Sequence, residues 1–329
     1  MQIARIDQGV RIDAPCKVNP YLAVLGRRDD GYHELATVML ALDLCDTLDF
    51  RLTPEAGFRL RATSEPPWAG VWPAHAARLS VPVEGNLIER AYRETCQRLG
   101  VTPACEVRLT KRIPVQAGLG GGSSDAAAAI IAAFALANAS FDVGVAGEVA
   151  AGIGSDVNFF LEGWAEGVWA ASCGGRGEKV LPFAAGDGTG WLLVFPEAGC
   201  DTGSVFRRLA DSTEPLHSTG NDAGCRAAAD SIASGDAGRI REVLFNALTA
   251  AARGANPVLD EVYRGVEAAA DDCGVTLSGS GSTIVLPCPP QTTATMAKRL
   301  SHAVQCPVRA LTLWKTRSLT EQLDGIREP

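Results

Sequence analysis

From Pro114 to Ser140 the sequence reads PVQAGLGGGSSDAAAAIIAAFALANAS, and no other stretch limits the fold so tightly. The alanine-rich half is apolar almost all round, so as a helix it must be buried on every side rather than along one stripe. At about 14 residues it is too short to span a bilayer. It therefore needs layers of protein around it, and the rest of the chain must supply them. Four glycines stand among the five residues from Gly118 to Gly122 immediately before it. Glycine lets a backbone take positive φ and come close to a ligand. Ser123 and Ser124, at the start of the helix, add unpaired N–H groups of the kind that hold phosphate oxygens. A slack linker or a plain serine cap is the bland reading, yet a helix so anchored has little use for slack before it. Pro114, Gly118, Gly120, Gly121, Gly122, Ser123 and Ser124 thus form a candidate phosphate-binding loop. It is not the P-loop, since no Lys-Ser or Lys-Thr follows, and it lacks the spacing of the dinucleotide fingerprint.

The remaining chain is large enough for the layers. Its 329 residues, 47% hydrophobic and 21% charged, suit one large domain or two smaller ones. Thirty basic against 38 acidic side chains leave a formal charge of −8, which argues against nucleic acid or an anionic membrane surface as partner. The opening MQIARIDQGVRIDAPCKVN has no cationic region followed by an apolar run, so a cytoplasmic protein is expected. Ten cysteines occur with no C-x-x-C pair and no nearby histidine, so they are expected to be reduced apolar fillers, with no metal site.

Short apolar runs in the first fifty residues predict strands, with RRDDGYHE as a turn between two of them. NLIERAYRETCQRLG predicts a helix closing on Gly100, and CEVRLTKRIP a strand ended by Pro114. VGVAGEVAAGIGSDVNFFLEG predicts a short helix, a Gly-Ser-Asp turn and an apolar strand. Further on, EGVWAAS and GWLLVFPE read as strands, and helices are expected at about 226–234 and 236–252. Runs of strands and helices in both halves indicate α+β or α/β layers rather than a bundle or a sandwich, in two domains, 1–165 and 166–329.

Three more stretches are polar where the pattern predicts burial. In APCKVNPYL, Lys17 and Asn19 lie two apart on a strand and so face the same side. They fit either an edge strand with a wet face or a site. Asp156 and Asn158 stand in a turn before two phenylalanines, where an ordinary Asx turn is the bland reading. LSGSGST, at 277–283, is a second Gly/Ser loop between apolar runs.

Together, Pro15-x-Lys17-x-Asn19, the glycine loop and LSGSGST resemble, in order, the three motifs of the GHMP kinases, a superfamily of small-molecule kinases. GRRDDGYHEL resembles one branch of it, acting on a methylerythritol carried on cytidine diphosphate, rather than kinases of mevalonate or homoserine, which have no base to hold. The resemblance is dense from about 10 to 165 and faint beyond 285. It implies an N-terminal domain like domain 2 of ribosomal protein S5, a ferredoxin-like C-terminal domain, and ATP with Mg²⁺ in the cleft between them. It further implies that Asp156 is the catalytic carboxylate and Lys17 the lysine beside it, with Asn19 near the substrate. Tyr32 and His33 match residues that hold the cytosine, and Thr202 and Phe206 match a segment closing the far side of the ring. Asn86 and Lys111 match positions near the adenosine. A small-molecule substrate and a monomer or weak homodimer are expected. Cys16, in place of a common alanine, and Asn158, in place of a common proline, depart from the family pattern.

Overall fold

The computed structural model describes residues 1–64, 85–211 and 220–315. Most of the Pro- and Trp-rich stretch at 54–80, part of the polar stretch at 211–225 and the tail beyond 315 lie outside these residues. The first sheet contains β1 (Gln2–Ile6), β2 (Gly9–Arg27), β3 (His33–Leu52), β4 (Gly57–Ser64) and β5 (Ala104–Lys111) in the order β1-β2-β3-β5-β4. The chain returns to this sheet beyond residue 165. There β6 (Ala170–Gly175) pairs with β3, β7 (Lys179–Pro182) pairs with β6, and the two-residue β9 (Phe245–Asn246) runs parallel to β2.

The long β2–β3 hairpin turns at RRDDGYHE, where Gly31 has φ 85° and the Arg28 N–H donates to the Tyr32 carbonyl at 2.8 Å. β2 is an inner strand, and residues 14–24 are continuously buried because both its faces are covered. Register shifts fall between Pro15 and Cys16 and between Val18 and Tyr21. They bracket Lys17 and Asn19, and such bulges re-aim side chains. The wet edge strand is thereby replaced by a buried polar pair.

On one face of this sheet pack α1 (Leu87–Leu99), α2 (Gly121–Leu136), α3 (Val143–Ile153) and α4 (Val157–Glu166). Every residue of α2 from Ser124 to Phe134 is buried, as its all-round apolar sequence requires. α1 begins on Asn86, whose side chain accepts from the Ile88 N–H, and ends on Gly100 at φ 69°. α4 corrects the strand expected over VNFFLEG. Its buried Val157, Phe160, Leu161 and Trp164 follow the i, i+3, i+4, i+7 spacing of a helix, a period too short-lived in the sequence to separate from a buried strand.

The second sheet is antiparallel, with β10 (Thr276–Leu277), β11 (Ile284–Cys288), β8 (Gly190–Val194) and β12 (Val308–Leu311) in that order. Trp191 and Leu193 of β8 join a core with Cys16, Val18 and Leu40 of the first sheet. The alternate residues Leu192 and Val194 join a core with the helices behind. One strand thus serves two cores through its two-residue period. The accompanying helices are α5 (Thr202–Ala210), α6 (Asp222–Ser234), α7 (Ala237–Val243), α8 (Thr249–Ala255), α9 (Pro257–Ala269) and α10 (Pro290–Val304). The single helix expected at 236–252 is broken into α7 and α8 by β9.

Candidate active site

A cavity of about 1320 Å³ opens where β2, the glycine loop, α5 and the loop after β10 meet. Lys17 lies at the junction. Its backbone N–H donates to the Leu119 carbonyl at 2.9 Å. Its ammonium donates to Asn19 Oδ1 at 2.6 Å and to the Gly118 carbonyl at 3.0 Å, and stands 3.3 Å from Asp156 Oδ2. Lys17 and Asn19 are almost wholly buried, whereas the Asp156 side chain retains 24% of its exposure. Asp156 occupies the N-cap position of α4, yet its side chain makes no capping bond. The carboxylate is therefore left for Lys17 and for whatever enters the cavity. Asn158 turns away, its amide donating to the Glu178 carbonyl at 3.3 Å.

The glycine loop is shaped by two different needs. Gly118 and Gly120 have φ of 75° and 66°, the left-handed region that favours glycine. Gly121 and Gly122 lack positive φ and form the first turn of α2. A Cβ at Gly121 would lie 3.0 Å from both Ile113 Cγ2 and Lys111 Nζ, so there the constraint is space. The N-cap residue is Gly120, and no side chain caps the helix. The opening N–H groups thus face the cavity, where an anion can meet them. Ser124 is the exception among the expected loop residues: it lies beneath the cavity, and its hydroxyl has no partner.

Lys111 is held by two carboxylates. It lines the cavity, but its ammonium donates to Asp125 Oδ2 at 2.7 Å and also to Asp46. Asp46 also accepts from the Ile113 N–H at 2.9 Å. Burial works against the Lys111 charge, but Asp125 and Asp46 outweigh it and raise its pKa above the ordinary lysine value. Burial pushes the Asp125 carboxyl up to about 7, with Lys111 pulling it down and Asp46 adding to the rise. Asp46 and Asp125 were missed from the sequence. An acid inside an otherwise apolar helix was the available signal for Asp125.

At the opposite wall, the His33 ring stacks on Phe206 with centroids 4.8 Å apart and planes 24° from parallel. Tyr32 is 54% exposed, and the Arg176 guanidinium sits 4.7 Å from its ring centroid. Burial, and then the charge of Arg27, lower the His33 pKa, which favours the neutral imidazole with one donor and one acceptor. The Thr202 hydroxyl meets Ser280 at 2.9 Å, joining α5 to the second Gly/Ser loop. That loop also holds the first: Ser278 Oγ donates to the Gly118 carbonyl at 2.8 Å. All the expected site residues except Ser124 line this one cavity. Arg176 was missed, because its approach to Tyr32 arises only when the β6–β7 turn meets the β2–β3 turn.

Seven of the ten free cysteines are buried, and Cys45, Cys273 and Cys306 are half-buried. Cys16 is fully buried beside Lys17, and burial drives its thiol pKa far above its usual value. Among the described residues no group of three or more His, Cys, Asp or Glu could hold a metal ion, and no helix is long and apolar enough to cross a membrane.

A family model, GHMP kinases N terminal domain, matches residues 86–163. The chain is 34% identical over 277 residues to a 4-diphosphocytidyl-2-C-methyl-D-erythritol kinase of Kineococcus radiotolerans, covering 83% of this chain and 79% of that protein. It is 35% identical over 280 residues to the kinase of the same name from Pelotomaculum thermopropionicum, covering 82% and 86%. A crystal structure of 4-(cytidine 5'-diphospho)-2C-methyl-D-erythritol kinase superposes with a TM-score of 0.70 at 30% identity, covering 93% of this chain and all of that one. A homoserine kinase from Cytophaga hutchinsonii gives 0.71 at 15% identity over 96% and 97%, a likeness of fold alone.

Proposed function

Because the chain belongs to the 4-diphosphocytidyl-2-C-methyl-D-erythritol kinase family of the GHMP kinases, we infer that Lys17 and Asp156 are the two side chains that carry out its phosphoryl transfer. The activity is ATP-dependent phosphorylation of the 2-hydroxyl of 4-(cytidine 5'-diphospho)-2-C-methyl-D-erythritol. It yields the 2-phosphate and ADP in the non-mevalonate isoprenoid pathway.

One observation carries the residue assignment. The lysine motif, the glycine loop and the second Gly/Ser loop all converge on the Lys17 ammonium, with a carboxylate at 3.3 Å. In the reaction the substrate oxygen forms a bond to the γ-phosphorus, the bond to the β,γ-bridging oxygen breaks, and the hydroxyl proton passes to an Asp156 oxygen. Lys17 supplies positive charge where the transferring group gathers negative charge, and such transfer depends chiefly on positioning and charge. Asp156 is the base within reach of the cavity. The α2 N–H groups and the glycine backbone are the cradle for the triphosphate. Mg²⁺ would enter with the nucleotide and would supply charge neutralisation there; Ser123 and Asp156, which line the cavity at the glycine loop, are the protein oxygens that would face it.

Tyr32, His33 and Phe206 form the base-holding wall. A neutral imidazole matches the donor–acceptor edge of cytosine, and the exposed Tyr32 ring offers a flat apolar face. Release of ADP across a panel of alcohols, with and without the cytidine diphosphate group, tests the reading. Strong preference for the cytidylyl compound is expected. Equal use of 2-C-methylerythritol 4-phosphate, or preference for mevalonate or homoserine, overturns the substrate assignment.

A further inference from the structure

We propose that Asn246 is a positioning residue for phosphoryl transfer, holding the second Gly/Ser loop so that Ser278 and Lys17 share the Gly118 carbonyl. The inference rests on Lys17 being the catalytic lysine. It starts from the short strand that interrupts the helix expected at 236–252. Phe245 and Asn246 pair parallel to β2 at Tyr21 and Leu22, and the Ala247 N–H donates to the Leu22 carbonyl at 2.9 Å. Leu22 lies five residues along the same strand from Lys17. Asn246 is 7% exposed, and all its polar capacity is directed inward. Its amide nitrogen donates to the Leu277 and Gly279 carbonyls, both at 2.8 Å, and its oxygen accepts from the Leu248 N–H at 2.8 Å.

Those two carbonyls flank Ser278, whose hydroxyl donates to the Gly118 carbonyl at 2.8 Å while the Lys17 ammonium donates to the same oxygen at 3.0 Å. The loop is also closed by the Gly281 N–H to Ser278 carbonyl bond at 2.8 Å. It is tied outward by Thr202 to Ser280 at 2.9 Å, by the Thr283 N–H to the Ala117 carbonyl at 3.2 Å and by Ser282 to the Ala198 carbonyl, so Asn246 is the anchor on either side of Ser278. It stands close to the lysine, for a Cβ at Gly279 would lie 3.4 Å from Lys17 Nζ. A buried amide that satisfies two carbonyls cannot be removed without leaving both unpaired, and such groups are costly to orphan. The loop would move to recover partners, and Ser278 and Gly118 would move with it. Displacement of a catalytic group by about 1 Å can cost 10²-fold in rate. The chain of contacts therefore runs from the helical layer, through Asn246 and Ser278, to the carbonyl that orients Lys17.

The test is a double-mutant cycle on kcat and KM with Asn246→Ala, Asn246→Asp, Ser278→Ala and the paired variants, each with its thermal midpoint. Lys17→Met serves as a check on the underlying reading, and Leu300→Ala, in the fully buried core of α10, as a purely destabilising control. Asn246→Asp keeps the shape and the acceptor for Leu248 but loses both donors. Each Asn246 variant and Ser278→Ala should lower kcat roughly 10- to 100-fold, with KM for the alcohol within about threefold. The paired variant should lose little more than the worse single one, since both act through Gly118. Leu300→Ala should lower the midpoint without lowering kcat. If Asn246→Ala does not fold, Ser278→Ala and Asn246→Asp carry the same prediction. Unchanged kcat in the folded variants, or losses that multiply, overturn the inference while Lys17→Met remains inactive. An active Lys17→Met overturns the reading beneath it.

Discussion

Gly120→Ala isolates the part of the glycine loop that serves the lysine rather than the phosphate. Gly120 has φ 66°, and a Cβ there would lie 2.9 Å from Lys17 Cγ, 3.1 Å from Lys17 Cε and 3.4 Å from Phe160 Cε2. An alanine in the left-handed region costs about 1 to 2 kcal/mol. Forcing a methyl into the packed stem of Lys17 adds about 1 to 3 kcal/mol. The loss should therefore be about 2 to 5 kcal/mol in urea or guanidinium unfolding. Lys17 cannot retreat freely, because Gly118 and Asn19 hold its ammonium. Relief of the clash must disturb that ammonium, so kcat should fall as well as stability. Gly122→Ala is the matched control: it lacks positive φ, its nearest neighbour is Leu87 Cδ1 at 3.6 Å, and it lies in the first turn of α2. Alanine in a helix is favoured over glycine by about 0.5 to 1 kcal/mol, so stability should hold or rise. ADP release measured below both unfolding midpoints separates the two effects. If Gly120→Ala is as stable and as active as Gly122→Ala, the proposed support of Lys17 by the loop is wrong.

Asp156→Asn should lower turnover about 10²- to 10⁴-fold with little change in nucleotide affinity; near-normal turnover in the ADP assay would reduce Asp156 to a turn residue. Tyr32→Ala should weaken binding of the cytidylyl substrate roughly 5- to 150-fold, a loss of about 1 to 3 kcal/mol by analogy with base stacking, while its 54% exposure leaves stability nearly intact; calorimetric titration reads the first and a thermal midpoint the second. Asp125 titrates at about 7 in the folded chain against an ordinary 3.8, so between these pH values the native state holds a proton that the unfolded state has released. This group's contribution to stability accordingly falls as pH rises from about 4 to about 7, and unfolding of Asp125→Asn should lack that component; parallel pH profiles for the two proteins would refute it.

Much was readable along the chain because the signals are local. An alanine run that is apolar all round can only be a buried helix, and α2 is buried from Ser124 to Phe134. Two polar residues at i and i+2 of a strand share a side, and Lys17 and Asn19 are joined by a 2.6 Å bond. Helix limits at Asn86 and Gly100 follow from capping chemistry that needs only neighbouring residues. Periodicity failed where it was brief or overridden. VNFFLEG contains too few turns to distinguish helix from buried strand. The helix at 236–252 is broken at β9, where Phe245 and Asn246 pair with β2 and the Asn246 amide donates to the Leu277 and Gly279 carbonyls.

What the sequence determined by itself was therefore the set of parts: the phosphate-type loop, the polar pair on its strand, the acid in its turn and the aromatic and imidazole at theirs. Tertiary structure decided which parts meet and how charge is shared among them. Lys17 and Asp156 are 139 positions apart, and only the tertiary fold, with α4 packed on α2 and against β6 and β7, brings them to 3.3 Å. Nothing along the chain pairs Lys111 with Asp46 and Asp125; β3 and α2 deliver them to it. Arg176 reaches Tyr32 only because two separate turns meet at one rim. Contacts of this kind depend on distance through space, which falls off within a few ångströms, and no pattern of neighbours along the chain encodes it.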